Sequence, residues 1–279
     1  MNQTIFLLLG ALGLAGIGSL VASNDDDEAP EEPSDPFGGR ERVEGTDEDD
    51  TIAGTDADEA IQGHAGEDSI DAGAGDDAVW GGYGDDTVSA DAGDDEIYLG
   101  SGDDLYGALD LGAEEGADTI DGGSGSDTII TNLGEHSVLG GTGDDEIGDY
   151  GGTVHIDGED GDDLILSADA SDPDAPDTLL GGDGDDTIHA GAHDIVDGGD
   201  GSDQIVLRSD AGGAAQIAYS GSDQLTVTLA ADYDGEEAYT LVQDGDDVQV
   251  VVDGQVLALL LDAQADQVGT ITLLREAVS

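Results

Sequence analysis

A nine-residue period runs through the chain from Gly45 onward, and it restricts the available folds more than any other feature. Seven units follow one another without a gap, beginning with GTDEDDTIA. Six further units follow a five-residue insert at 108–112, and four more follow a second insert at 167–171, the third of these four being one residue short. The 17 units share the form G-G-x-G-x-D-x-U-x, where U is a large apolar residue. Such repetition predicts a solenoid, in which each unit stacks on its neighbours.

Position eight of the unit predicts the secondary structure. It is occupied by Ile52, Ile61, Ile70, Val79, Val88, Ile97, Tyr106, Ile120, Ile129, Val138, Ile147, Ile156, Ile165, Leu179, Ile188 and Ile205. One apolar residue flanked by polar ones is typical of a short strand with a single inward side chain. Glycines at positions one, two and four favour tight turns with left-handed backbone conformations. The sequence therefore predicts an all-β fold of short strands and glycine-rich turns.

Charge decides what such a chain needs in order to fold. There are 69 acidic residues against 4 basic ones, all Arg, which gives a formal charge of −65, and there are 47 Gly. Self-repulsion of this size opposes compaction, and one apolar residue per unit offers little burial to offset it. Cations must therefore neutralise the carboxylates if the repeats fold at all. The same charge disfavours nucleic acids as partners, and the absence of Cys excludes disulfides and thiolate chemistry.

Residues 45–206 resemble the RTX (repeats-in-toxin, hemolysin-type) calcium-binding nonapeptide repeats, on the strength of units such as GGYGDDTVS and GGTGDDEIG. The resemblance implies a parallel β-roll in which two units make one turn and Ca²⁺ lies between unit n and unit n+2. The chemistry of the residues agrees, because Ca²⁺ takes six to eight oxygen ligands from carboxylates and backbone carbonyls. We therefore expect multiple Ca²⁺ ions as the cofactors of this chain.

Odd-numbered and even-numbered units differ at position six. The odd row is defined as Asp50, Asp68, Asp86, Asp104, Asp127, Asp145, Asp163, Asp186 and Asp203, without an exception. The even row is Glu59, Asp77, Asp95, Asp118, His136, Val154 and Asp177, and the shortened unit has no clear equivalent. We hypothesise that the odd edge of the coil holds a nearly complete Ca²⁺ ladder and the even edge holds fewer ions, provided that both inserts leave this alternation intact.

The candidate metal ligands follow from this pattern. They comprise the nine odd-row aspartates, the even-row residues Asp77, Asp95, Asp118 and Asp177, and the turn glycines Gly81, Gly82, Gly84, Gly122, Gly123, Gly125, Gly140, Gly141, Gly143, Gly181, Gly182, Gly184 and Gly198, whose carbonyls converge. Position-five carboxylates, such as Asp85 and Asp144, are expected to be solvated and not to bind metal. Trp80 and Tyr98, at position nine, are expected on the outer surface.

The segments outside the repeats have different compositions. Residues 1–23 contain the apolar run 4–22, which predicts a membrane anchor or a signal segment, and residues 24–44 predict an acidic, proline-containing linker. Residues 207–279 predict a β-rich region that caps the solenoid with antiparallel strands, with turns at Asp253-Gly254 and at 244–247. In the RTX family this region also carries a signal for type I secretion.

Catalytic motifs are missing from the sequence. It lacks a nucleophile elbow, a metalloprotease helix motif and, without Lys, a phosphate-binding loop. We therefore expect a non-enzymatic, calcium-binding protein that is secreted or exposed at the cell surface and folds on meeting Ca²⁺. An adhesin or matrix component with a cell-surface or polysaccharide partner stays open, and so does an accessory repeat module of the kind attached to secreted hydrolases or epimerases.

Overall fold

A computed structural model describes residues 39–107, 116–167, 176–209, 212–231 and 233–276. The described part of the chain contains strands, turns and bends, and it contains no helix able to span a membrane. The predicted anchor or signal segment and most of the predicted linker lie outside these residues. The all-β prediction is confirmed.

The described strands are β1 (Glu41–Glu44), β2 (Thr51–Thr55), β3 (Glu59–Ala65), β4 (Ser69–Gly73), β5 (Ala78–Tyr83), β6 (Thr87–Ser89), β7 (Glu96–Ser101), β8 (Leu105–Tyr106), β9 (Thr119–Ser124), β10 (Thr128–Thr131), β11 (Glu135–Thr142), β12 (Glu146–Asp149), β13 (Thr153–Asp160), β14 (Leu164–Ser167), β15 (Thr178–Asp183), β16 (Thr187–Ala190), β17 (Ile195–Asp200), β18 (Gln204–Arg208), β19 (Ala215–Ala218), β20 (Gln224–Leu229), β21 (Tyr239–Asp244), β22 (Asp247–Val252), β23 (Gln255–Leu261) and β24 (Thr272–Arg275).

Successive strands alternate between two sheets, so that the chain winds as a parallel β-solenoid of about nine turns. One sheet has the order β1-β3-β5-β7-β9-β11-β13-β15-β17-β19-β23-β22-β21, and the other has β2-β4-β6-β8-β10-β12-β14-β16-β18-β20-β24. Turns on one edge carry the chain from the first sheet to the second and contain the odd row. Turns on the opposite edge carry it back, and the even row lies in these turns or at the beginning of the strand that follows. We call these the odd edge and the even edge.

The register shows that two nonapeptides form one turn. Ile52 pairs with Ile70, 18 residues later, in the second sheet. Across the first insert Tyr106 pairs with Ile129, and across the second Ile165 pairs with Ile188, so each insert lengthens one turn to 23 residues. The alternation of odd and even units therefore continues through both inserts.

The core is a column of position-eight side chains between the two sheets. Ile61, Ile120 and Ile156 are fully buried, and so is nearly every other residue predicted at this position. Each buried aliphatic side chain stabilises the fold by roughly 1.5–3 kcal/mol. A few position-one residues, such as Ala72 and Leu99, add to this column, but most of the apolar burial in the repeats comes from position eight.

Two details of the repeat assignment need correction. Ser167, assigned from the sequence to the second insert, belongs to β14 and pairs with Asp149 in register, so the insert begins after it. The shortened unit does have a position-six equivalent, Asp194, whose Oδ1 accepts a hydrogen bond from the Asp177 N–H. The deletion shortens that turn to 17 residues, so Asp194 does not fall at position six when the unit is counted with a nine-residue period.

The C-terminal region both extends and closes the solenoid. Antiparallel pairing is limited to β21, β22 and β23, and both predicted turns are present, because Asp244 pairs with Asp247 and Val252 pairs with Gln255. By contrast, β19, β20, β23 and β24 continue the two parallel sheets. The antiparallel cap therefore sits on one sheet only, and the domain boundary near residue 206 stays a prediction.

Candidate metal centres along the two edges

Successive odd-row aspartates are linked along the whole odd edge. The Oδ1 atom of each accepts a hydrogen bond from the backbone N–H of its predecessor one turn earlier, at 2.7 to 3.1 Å, through all eight steps from Asp50 to Asp203. Glycine-rich turns of constant shape bring these side chains to the same place in each layer. The odd row is thus a continuous ladder of inward carboxylates.

The second carboxylate oxygen in this ladder is buried and has no hydrogen-bond partner. This holds for the Oδ2 atoms of Asp68, Asp86, Asp104, Asp127, Asp145, Asp163, Asp186 and Asp203. The first member, Asp50, differs, because its Oδ2 accepts hydrogen bonds from Thr46. A buried carboxylate oxygen without a donor is costly, and proteins normally pair it with a donor or a metal ion. Each of the eight intervals of the ladder therefore has one buried oxygen without a donor.

Backbone carbonyls converge on the same space. A Cβ atom built on Gly81 would lie 2.6 Å from the Asp86 Oδ2 and 2.5 Å from the Leu99 carbonyl oxygen. On Gly181 it would lie 2.2 Å from the Asp186 Oδ2 and 2.4 Å from the carbonyl oxygen of Gly198, one turn later. At Gly81 and Gly181 a side chain would occupy the space into which these oxygens point. Position one is not glycine in every odd unit, since Leu99 stands there, fully buried, in the unit that it opens.

This donor set suits a hard cation. In the described ranges no three His, Cys, Asp or Glu side chains cluster closely enough to hold a metal by themselves. Carbonyl oxygens must therefore supply most of the ligands, with one or two carboxylates supplying the charge. Ca²⁺ accepts such mixed oxygen sets in flexible geometries, whereas Zn²⁺ prefers nitrogen and sulfur ligands in a tetrahedral arrangement.

Burial shifts the acidity of the ladder. Burial raises the pKa of Asp127 and Asp163 to about 7 and that of Asp86, Asp104 and Asp145 to about 6. The backbone hydrogen bond to Oδ1 opposes this rise in pKa, and neighbouring carboxylates add to it. A bound divalent cation would favour the ionised form instead.

The even row is a broken counterpart of the odd row. Its Oδ1 links run from Glu59 to Asp118 and resume from Val154 to Asp194, since the Asp177 Oδ1 accepts the Val154 N–H and the Asp194 Oδ1 accepts the Asp177 N–H. Two Oδ2 atoms in the first part, on Asp77 and Asp95, are buried without a partner. Beyond this point the predicted ligands differ, because the Asp118 Oδ2 lies 3.2 Å from His136 Nδ1 and the Asp177 Oδ2 accepts a hydrogen bond from Ser167 Oγ at 2.8 Å. Protein groups therefore contact these two carboxylates where the odd row offers a free oxygen.

Position-five carboxylates have a contact that the sequence did not indicate. Asp85 and Asp144 are exposed, yet the Oδ1 of each accepts the N–H of the position-five residue one turn later, at 2.9 and 3.0 Å. In these bonds the acceptor comes one turn before the donor, whereas in the odd row the acceptor comes one turn after the donor. Six of the eight intervals are thus joined by two hydrogen bonds in opposite directions.

A parallel solenoid of nonapeptides whose turns hold inward carboxylates and converging carbonyls defines a class of repeat protein in which cations join successive turns. Within that class, the RTX calcium-binding nonapeptide repeat matches this chain in four copies, at residues 53–82, 71–106, 113–135 and 174–205. The chain therefore carries RTX repeats, as the sequence pattern indicated. No curated protein matches the chain significantly.

Proposed function

We propose that this protein binds a row of Ca²⁺ ions and folds only when they are bound, in a secreted or surface-exposed setting. The observation that carries the proposal is the set of eight buried, unpartnered Oδ2 atoms at one-turn intervals along the odd edge. In this proposal, each ion lies between consecutive odd-row aspartates and is completed by turn carbonyls such as those of Gly181 and Gly198.

The free-energy cost of the buried carboxylates favours a protein that folds only with its ions bound. An unsatisfied buried polar group costs about 1–3 kcal/mol, and more when it is charged. Ten such carboxylates, eight in the odd row and two in the even row, would outweigh the roughly 5–15 kcal/mol of stability that is usual for a folded domain. The repeats offer no internal cation as a substitute, because neither Lys nor Arg occurs between Val43 and Leu207.

Location follows from the calcium dependence. Sites built mainly from carbonyls and one or two carboxylates resemble extracellular modules, which bind Ca²⁺ at about 10⁻⁴–10⁻³ M. A chain with such sites stays unfolded where Ca²⁺ is scarce and folds where it is abundant, because binding free energy becomes folding free energy. We propose that residues 4–22 direct or anchor the chain and that residues 24–44 separate them from the repeats.

The proposed role is structural and not catalytic, since RTX repeats form a calcium-binding domain and not a catalytic fold. Far-ultraviolet circular dichroism of the full chain, with Ca²⁺ and after chelation, tests the proposal together with ion counting by native mass spectrometry. We expect strand signal and about ten ions with Ca²⁺, and neither after chelation. Strand signal that survives excess chelator at low salt would refute it.

A second candidate function, attachment to a polysaccharide, is favoured by one observation. Trp80 and Tyr98 occupy register-paired positions on the outer face of one sheet, and their rings stack at 5.8 Å with an angle of 7°. Aromatic side chains in such positions offer apolar ring surface to sugars. Retention of the Ca²⁺-loaded protein on immobilised polysaccharides, lost in Tyr98→Ala and kept in Tyr83→Ala, would support this role. Equal behaviour of the two variants would count against it.

A further inference from the structure

The even edge departs from the nonapeptide pattern between Asp118 and Asp194. Position six carries His136 and then Val154 in two consecutive turns, where the odd row keeps Asp throughout. Buried polar side chains nevertheless fill this part of the edge: Asp118, Thr131, His136, Asp149, Ser167 and Asp177 are all at most 9 % exposed. We call these six residues the clasp.

The first contact of the clasp replaces an aspartate by a histidine. His136 Nδ1 accepts the Asp118 N–H at 3.3 Å, which is the position of an Oδ1 atom in the odd row. The same ring nitrogen lies 3.2 Å from the Asp118 Oδ2, and the His136 side chain is fully buried. A single ring nitrogen makes one of these bonds at a time: without a proton it accepts the Asp118 N–H, and with one it donates to the Asp118 Oδ2. In either state the imidazole occupies the space beside the carboxylate that a Ca²⁺ ion would otherwise join.

In the second contact, the carboxylate belongs to the residue at position one of its unit and not to the residue at position six. Asp149 occupies the position-one column of the even turns, in register with Thr131 before it and Ser167 after it. Its Oδ1 accepts a hydrogen bond from Thr131 Oγ1 at 2.8 Å, and its Oδ2 accepts the Gly151 N–H at 3.1 Å. The turn that has Val154 at position six thus retains a buried carboxylate, but both of its oxygens contact protein donors.

The third contact pairs two position-six carboxylates with one hydroxyl. Ser167 Oγ donates to the Asp177 Oδ2 at 2.8 Å and lies 3.4 Å from the Asp194 Oδ2. The Asp194 Oδ2 also accepts the Gly191 N–H at 2.6 Å. Each of these oxygens would be a metal ligand in the odd row, and each already has a protein donor here.

We propose that the clasp closes the central and later turns of the even edge with side-chain hydrogen bonds and that no Ca²⁺ ion binds there. The inference rests on the proposed function, because it assigns which intervals of the coil use ions. It limits the total to about ten ions, eight on the odd edge and two near Asp77 and Asp95. The clasp also explains how two turns can lose the position-six aspartate without leaving a gap in the core.

The test is to restore the nonapeptide residue and count ions. His136→Asp should free the Asp118 Oδ2 and add a carboxylate in the same interval, so native mass spectrometry at saturating Ca²⁺ should show one additional ion. His155→Asp is the matched control, since His155 is exposed on the outer face of β13 and its replacement should leave the count unchanged. An unchanged count in His136→Asp, or an equal gain in both variants, would overturn the clasp.

Ser167→Ala provides a second measurement that does not depend on creating a site. Removal of this hydroxyl should lower the thermal midpoint of the Ca²⁺-loaded protein and leave its ion count unchanged. A lower ion count would show that Asp177 and Asp194 hold an ion, and would overturn the proposal. Failure of the proposed function would look different, since the unaltered protein would then bind no stoichiometric Ca²⁺ at all.

Discussion

The two edges of the solenoid solve the same packing problem in different ways. On the odd edge, nine aspartates repeat without exception, and eight of them keep one buried oxygen without a protein donor. Among the described residues of the even edge, Asp77 and Asp95 alone do so, while hydroxyls, an imidazole and backbone N–H groups contact the carboxylates further along. The turns of both edges connect strands of the same two sheets.

The comparison shows that a regular ion ladder demands a regular sequence. In the proposed ladder, an ion between turns contacts oxygens of two consecutive odd units, so a change in one unit affects two sites. Side-chain hydrogen bonds are local, and Thr131, Asp149 and Ser167 can each differ from their neighbours. The edge proposed to bind most ions is therefore the edge with the least variation among its units.

Removal of Ca²⁺ is expected to have the largest effect. Chelation exposes the cost of ten buried carboxylates, and the hydrogen bonds of the clasp are too few to offset it. We expect the far-ultraviolet strand signal to disappear at low salt and to return when Ca²⁺ is added back. Mg²⁺ at the same concentration serves as the control and should restore less signal, because it requires a tighter octahedral site.

In the absence of Ca²⁺, acidification should stabilise the folded repeats in part, because it neutralises the buried carboxylates. Burial raises the pKa of Asp127 and Asp163 to about 7 and that of Asp86 to about 6, above the ordinary value near 4. A carboxyl group whose pKa is higher in the folded state contributes its full stabilisation of the fold at pH values below its unfolded pKa. This stabilisation is lost as the pH rises through 6 to 7. Circular dichroism in chelator should therefore show strand signal growing from pH 7.5 toward pH 4.

The Ca²⁺-loaded protein should respond in the opposite direction. Ca²⁺ requires ionised carboxylates, so its affinity should fall as pH drops below about 7 and binding should release protons. Calorimetric titrations in buffers of different ionisation enthalpy would measure this release. Binding without proton release at pH 6.5 would contradict the assignment of these carboxylates as ligands.

Asparagine substitution should separate the two edges. Asp145 takes part in two odd-edge intervals, so Asp145→Asn should remove one or two ions and raise the Ca²⁺ concentration needed for folding. Asp177→Asn should leave the ion count unchanged, because the Asp177 Oδ2 has Ser167 as its donor. Native mass spectrometry of the two variants measures this difference, and equal losses would show that both edges bind ions alike.

Glycine substitution in an odd-edge turn should have a smaller effect. Gly141 has a φ of 112°, and a Cβ there would lie 2.2 Å from the Gly123 carbonyl oxygen. Gly141→Ala should destabilise the Ca²⁺-loaded protein by about 1–3 kcal/mol, measured by denaturant unfolding at fixed Ca²⁺. Gly221→Ala is the control, since no atom lies within 4 Å of the added Cβ.

Substitution at position five should have the smallest effect. Asp144 is exposed, and its Oδ1 accepts only the Asp162 N–H, at 3.0 Å. Asp144→Ala should therefore cost about 0.5–1.5 kcal/mol, the usual contribution of one hydrogen bond, and should leave the ion count unchanged. The loss of an ion in this variant would move position five into the group of ligands.

Most of the fold could be predicted because one short rule recurs in every turn. A large apolar residue at position eight, together with the turn glycines of the odd units, fixes strand, turn and register, and two 23-residue turns keep the alternation intact. Three features could not be predicted. Asp194 is shifted by a one-residue deletion, and Asp149 lies on the even edge although it stands at position one. The hydrogen bonds of Asp85 and Asp144 depend on backbone positions that no single unit specifies.

Along the chain, both inserts and the shortened turn fall between a strand of the second sheet and the next strand of the first, which are the strands that the even edge connects. The length of the connections from the second sheet to the first therefore varies within this chain, while the spacing within the odd-edge turns is constant. A foreign peptide introduced between Gly107 and Gly116 should thus be displayed without altering calcium affinity. One of equal length placed between Gly140 and Asp145 should shift the coil out of phase and prevent assembly of the turns beyond it.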